Sequence, residues 1–70
     1  MVNQEITVAL ELADKAVARN RWATLHVDSK EVTLVIGPMN SRGEREHKSA
    51  TYRFYTDAAG IVHYNTYAHP

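Results

Sequence analysis

The sequence contains no cysteine, which excludes disulfides, thiolate nucleophiles and the thiolate-based zinc and iron–sulfur centres. A reducing, cytoplasmic setting is the expectation that follows. An excess of one charge is also missing. Eight Lys plus Arg stand against eight Asp plus Glu, giving a formal net charge of zero, so no overall field draws the chain to nucleic acid or anionic lipid. No apolar run approaches the ~20 residues that cross a bilayer, and no membrane association is expected. The opening residues, Met1 to Thr7, carry neither the basic nor the apolar segment of a secretory signal. Glycine is scarce, with three residues, and these form neither a G-x-G-x-x-G nor a Walker loop. No G-x-S-x-G elbow surrounds Ser29, Ser41 or Ser49. Seventy residues leave room for one small core, so the chain reads as a single domain over 1–70. Hydrophobic residues at 44% and charged residues at 23% are ordinary globular values, which argues against disorder.

What is present divides into one stretch of period 3.6 followed by four of period 2. Over residues 4–20, Ile6, Ala9, Leu10, Ala13, Ala16 and Val17 fall within an arc of about 120° on a helical wheel, the pattern of an amphipathic helix. Asn3 suits its N-cap, Glu5 the positive N-terminal end, and Arg19 the C-terminal carbonyls. Asn20 suits a left-handed stop. From Trp22 on, β-branched and aromatic residues dominate at 22–27, 31–36, about 48–56 and 61–68. Only Asp28-Ser29-Lys30 separates the first two runs, too few residues for a crossover, so they pair as an antiparallel hairpin. Asp57-Ala58-Ala59-Gly60 joins the last two as a type I turn with Gly60 in the left-handed position. Residues 37–46, rich in breakers and charge, read as a long mobile loop. The expected fold is α+β: one N-terminal helix packed on one face of a four-stranded antiparallel meander.

Parity then sorts the side chains. Pairing Leu25 with Leu34 and Val27 with Val32 places Ala23, Leu25, Val27, Val32, Leu34 and Ile36 on the helix side. The Gly60 turn sets Phe54 against Tyr64 and Tyr52 against Thr66, so Tyr52, Phe54, Val62 and Tyr64 join them. Leu10, Leu25, Leu34 and Phe54 are the expected core anchors. The opposite face collects Trp22, Thr24, His26, Thr33, Val35, Thr51, Arg53, Tyr55, His63, Asn65 and Tyr67, and one helix cannot cover both faces. Large aromatics with histidine and arginine on an uncovered sheet resemble a contact surface. Strand propensity by itself also fills exposed strand positions with Thr, Tyr and Val.

The candidate contact residues are therefore Trp22, His26, Arg53, Tyr55, His63 and Tyr67, joined by Arg42 and Arg45 of the loop. The expected function is a small non-enzymatic interaction module, accessory or regulatory, that binds a protein partner or a second copy of itself. A nucleic-acid-binding protein using sheet aromatics and loop arginines is one alternative, opposed by the zero net charge and by Glu44 and Glu46 beside Arg42 and Arg45. A metal-independent ribonuclease is the other, with His63 as acid or base and Arg53 holding phosphate. No carboxylate is expected on that face to orient His63. No cofactor or metal is expected either. None of His26, His47, His63 and His69 has the i,i+4 or i,i+2 spacing of paired ligands. The order helix then four-stranded meander resembles the cystatin and monellin arrangement. Val27-Asp28-Ser29-Lys30-Glu31 stands where cystatins carry Q-x-V-x-G, so the resemblance implies topology and not protease inhibition.

Overall fold

A computed structural model describes residues 3–69. The helix α1 (Asn3–Ala18) precedes four strands, β1 (Arg21–Val27), β2 (Val32–Pro38), β3 (Ser49–Thr56) and β4 (Val62–His69). They form an antiparallel sheet in the order β1-β2-β3-β4, with α1 packed on one face, the expected α+β meander. Among the described residues no helix is long and apolar enough to cross a membrane.

Asn3, expected as the cap of α1, is its first residue, and its carbonyl accepts a hydrogen bond from Thr7 Oγ1 at 3.1 Å. The helix ends as its sequence implies. The amides of Arg19 and Asn20 donate to the carbonyls of Ala16 and Val17 at 3.0 and 3.1 Å, and Asn20 takes a φ of 60°, a left-handed conformation that Asn tolerates. That reversal starts β1 at Arg21 with no linker.

Registers follow from the turns. Leu25 lies opposite Leu34 and Val27 opposite Val32. In the last hairpin the Asp57 amide donates to the Ile61 carbonyl at 2.9 Å and the Gly60 amide to the Asp57 carbonyl at 3.0 Å. Gly60 has a φ of 82°, where a Cβ would be strained. Phe54 consequently faces Tyr64, and Tyr52 faces Thr66.

Ala9, Val32, Leu34 and Phe54 form the buried cluster, with Ile6, Val8, Leu12, Leu25, Ile36 and Tyr52 half-buried around it. The helix packs most on β1, less on β2 and least on β4. Ala9 and Ala16 are buried against the sheet, where their methyl groups allow close approach. This orientation corrects the expected helix face. Leu10 and Val17 are 49% and 62% exposed, because each lies about 100° round the wheel from a buried alanine. Leu12, Lys15 and Arg19 on the other flank border Tyr52 and Tyr64, so Leu10 and Val17 overhang the free edge of β1. The same rotation turns Glu5 inward, where its Oε2 accepts a hydrogen bond from Thr56 Oγ1. Val27 and Tyr64 share the helix side of the sheet but are exposed, Tyr64 lying at the margin of what α1 covers. The Tyr64 ring packs instead against Tyr52 and Phe54, at centroid distances of 5.2 and 5.6 Å.

Residues 37–46 are organised, contrary to the expectation of a mobile loop. β2 runs on through Gly37 and Pro38, and the Glu46 amide donates to the Pro38 carbonyl at 3.1 Å. Asn40 Oδ1 accepts from the amides of Arg42 and Glu44 at 2.9 and 3.0 Å, while the Asn40 amide donates to the Glu44 carbonyl at 2.9 Å. One side-chain amide thus substitutes for the ladder bonds that a turn lacks.

Candidate functional site

The face of the sheet opposite α1 carries its side chains in rows fixed by register. Trp22 pairs with Gly37, Thr24 with Val35 and His26 with Thr33. Thr33 in turn pairs with Arg53. Across β3 and β4, Thr51 pairs with Tyr67, Arg53 with Asn65 and Tyr55 with His63. Arg53 is thereby central, with Asn65 opposite and Glu31, His63 and Tyr67 at diagonal positions about 7–8 Å away between Cα atoms.

Glu31 occupies the guanidinium. Arg53 Nε donates to Glu31 Oε1 at 2.7 Å, and Nη2 forms an ion pair with the same oxygen. The hydrogen bond first, and the charge second, raise the Arg53 pKa further above its already basic ordinary value. Around this pair lies a shallow depression of about 510 Å³, bordered by Lys30, Glu31, Arg53, Tyr55, Asn65 and Tyr67. Tyr55 and Tyr67 are 46% and 44% exposed, so the depression is flanked by two partly exposed tyrosines.

His63 is held from two sides. Its ring stacks on Tyr55 with centroids 5.3 Å apart and planes 22° apart, and its Nε2 lies 2.7 Å from Asp57 Oδ2. An ionised carboxylate only accepts, so Nε2 carries the proton of that bond. This corrects the expectation that no carboxylate orients His63. The other oxygen of Asp57, Oδ1, accepts from the amides of Ala59 and Ile61, both at 2.9 Å, so the residue that closes the turn also aims the imidazole. The Ile61 amide, followed by His63, holds the Asp57 carboxyl below its ordinary 3.8. A carboxyl whose pKa is lower folded than unfolded stabilises above its unfolded value, and that contribution is lost as pH falls through the folded value. Asp57→Asn is therefore expected to lower the melting temperature at neutral pH, with the gap to wild type closing below about pH 4. Thermal melts at a series of pH values check this; an equal gap at all pH values would show that the charge is irrelevant.

The remaining candidates lie apart from this cluster. Trp22 is half-buried: its indole covers Gly37, Arg45 lies 4.9 Å above its ring, and its Nε1 is buried without an acceptor. It anchors the 37–46 segment, which corrects the expectation of a freely exposed contact ring. His26 is exposed on β1, three strands from His63 and so roughly 14 Å away at ~4.8 Å per strand. Arg42 is exposed within the turn that Asn40 organises. Among the described residues no three His, Cys, Asp or Glu side chains gather as a metal site. Arg53, Tyr55, His63 and Tyr67 are thus brought together, while Trp22 pairs with Arg45, and His26 and Arg42 stand alone.

Asp57 is the participant that strand parity passed over, and Glu31, which parity leaves flanking the face at a strand end, is the partner of Arg53. Both were legible in principle, Glu31 as the diagonal neighbour of Arg53 and Asp57 through its spacing to Gly60 and His63. Comparison of the chain with protein families, with curated proteins and with solved structures finds no match in any of the three.

Proposed function

We propose that the chain is a small non-enzymatic interaction module that takes a protein partner on the open sheet face, centred on the depression between Tyr55 and Tyr67. The observation that carries this reading is a pair of half-exposed tyrosines flanking an internally compensated Arg53–Glu31 pair, on a face that no helix or strand among the described residues covers. Tyrosine and arginine dominate the energetics of protein contacts, since each offers apolar area with a polar end. The buried cluster is small, and covering the second face in a complex would add the apolar burial that a 70-residue chain otherwise lacks.

The same geometry weakens both alternatives. A phosphate needs uncompensated positive charge, yet Arg53 is neutralised by Glu31, and the Trp22 ring is capped by Arg45 where a base would have to stack. His63 does have an orienting carboxylate. Acid–base cleavage of a phosphodiester also needs a cation beside the ring; Arg53 is engaged by Glu31, and Lys30 borders the depression from the β1–β2 turn rather than from a strand next to His63.

The test is capture from the source cell with the wild-type chain, repeated with Tyr67→Ala and Arg53→Ala, and with Asp14→Lys on the exposed side of α1 as control. Losing a partner by about tenfold or more in the two face variants, with retention in the control, supports the module. Salt-sensitive retention on single-stranded DNA would favour nucleic-acid binding instead. RNA cleavage in EDTA that disappears with His63→Ala would favour the ribonuclease.

A further inference from the structure

We infer that two copies of this chain join through the free edge of β4, forming one continuous eight-stranded antiparallel sheet about a two-fold axis at Asn65. In the β3–β4 hairpin, His63, Asn65 and Tyr67 lie opposite Tyr55, Arg53 and Thr51, and the ladder is phased by the Asp57 amide bonded to the Ile61 carbonyl. Antiparallel alternation then points the backbone N–H and C=O of His63, Asn65 and Tyr67 at β3, and turns those of Val62, Tyr64, Thr66 and Ala68 out to solvent. An edge of this kind is a template for another strand.

Native edges are ordinarily blunted by lysine or another charge, by proline, by a bulge or by a covering element. β4 reads Val-His-Tyr-Asn-Thr-Tyr-Ala-His over eight residues, with no Lys, Arg, Asp, Glu, Pro or Gly in it, and it pairs with β3 without a bulge. It is also the strand that α1 covers least. The other edge differs: β1 begins with Arg21, leads into Asp28-Ser29-Lys30 and lies beneath α1.

The composition of β4 favours a second copy over a foreign strand. An antiparallel two-fold sets the strand against its own reversed copy, so a charge on or beside the axis would meet its like, and β4 carries no Lys, Arg, Asp or Glu there. One register provides a partner for all four outward residues. Val62 meets the partner's Ala68 and Tyr64 meets the partner's Thr66, each pair occurring twice, with Asn65 beside the partner's Asn65 on the axis. On the open face this register sets Tyr67 against the partner's His63. On the helix side it covers the exposed Tyr64, which in one chain has ring neighbours only toward β3. One strand a side is a modest interface, so association in the range of ~10–100 μM is expected. The edge contact is made by the outward backbone groups of β4 and needs no occupant on the open face, although Asn65 and Tyr67 border both.

Sedimentation velocity on the whole chain, over protein concentrations from about 1 to 500 μM, is expected to show conversion from the 7.9 kDa species to one of twice that mass. Thr66→Pro deletes one outward N–H and leaves the β3 ladder alone, a position where an edge strand accepts proline. It is expected to weaken the dimer by about tenfold or more while the circular dichroism spectrum stays native. Asn65→Lys and Asn65→Glu should each weaken it too, since like charges would meet on the axis, and an equimolar mixture of the two should restore a heterodimer. A wild type monomeric throughout overturns the proposal, as does a folded Thr66→Pro that dimerises like wild type. Should Thr66→Pro fail to fold, the Asn65 pair decides: a mixture that stays monomeric overturns the two-fold at Asn65.

Discussion

Phe54→Ala is expected to unfold most of the protein, and Tyr55→Ala, one residue further on, to leave it folded. Phe54 is buried within the cluster formed with Ala9, Val32 and Leu34, so truncation removes apolar contacts and leaves a cavity under the helix. Such changes cost about 3–5 kcal/mol for phenylalanine and about 2–5 kcal/mol for leucine, so Leu34→Ala belongs in the same class. Native stability runs at roughly 0.05–0.15 kcal/mol per residue, and for 70 residues either loss is a large part of the whole. Tyr55 points to the other face and is half-exposed, so its removal should cost within about 1 kcal/mol. Leu10→Ala belongs with Tyr55→Ala, because the orientation of α1 leaves Leu10 exposed at the β1 edge. Urea and thermal melts of the four variants decide the matter. If Tyr55→Ala melts as severely as Phe54→Ala, the β3–β4 register set by the Gly60 turn is off by one.

That register was legible because a strand has only two faces and a tight turn chooses between them. Asp57 and Gly60 determine which β4 residue faces which β3 residue, and the other positions follow by alternation. The angular setting of α1 was less legible. Its apolar arc is wider than the strip of sheet it covers, and either flank of that arc could have been turned inward. Ala9 and Ala16 decide the outcome, since small side chains bring the helix closest to β1 and β2. Leu10 and Val17, the more hydrophobic residues, are left at the rim. Hydrophobicity alone weights a leucine above an alanine, so it misplaces the contact by part of a turn.

The candidate site divides along the same line. Strand parity placed Arg53, Tyr55, His63 and Tyr67 on one face without reference to any contact. The pairs that set the electrostatics of that face, Glu31 with Arg53 and Asp57 with His63, depend on diagonal reach and on the second oxygen of a turn aspartate, which alternation does not encode. Asn40 is a similar case: its side chain organises residues 40–44 within a segment whose composition reads as loop.

Gly37→Ala is expected to be clearly destabilising, though it adds a single methyl group to a strand. Gly37 lies opposite Trp22 in the β1–β2 ladder, and the indole lies close against it. A Cβ at this position would stand 2.5 Å from Trp22 Cε2 and Cζ2 and 2.6 Å from the Lys48 carbonyl oxygen. A retreat of the ring would disturb its packing with Arg45, 4.9 Å from the ring centroid. The Lys48 carbonyl is backbone, so relieving that contact requires β2 and the residues before β3 to separate. Overpacking of this kind costs about 1–3 kcal/mol and sometimes more, and here it also releases the segment that Trp22 anchors. The chain has one tryptophan, so its fluorescence reports the site directly: Gly37→Ala should lower the melting temperature and shift native emission to the red. Trp22→Ala in the same chain should restore only part of the loss, since the Lys48 carbonyl remains. A Gly37→Ala protein with wild-type melting and emission would mean that the indole does not lie over Gly37, and the anchoring role given to Trp22 would fall with it.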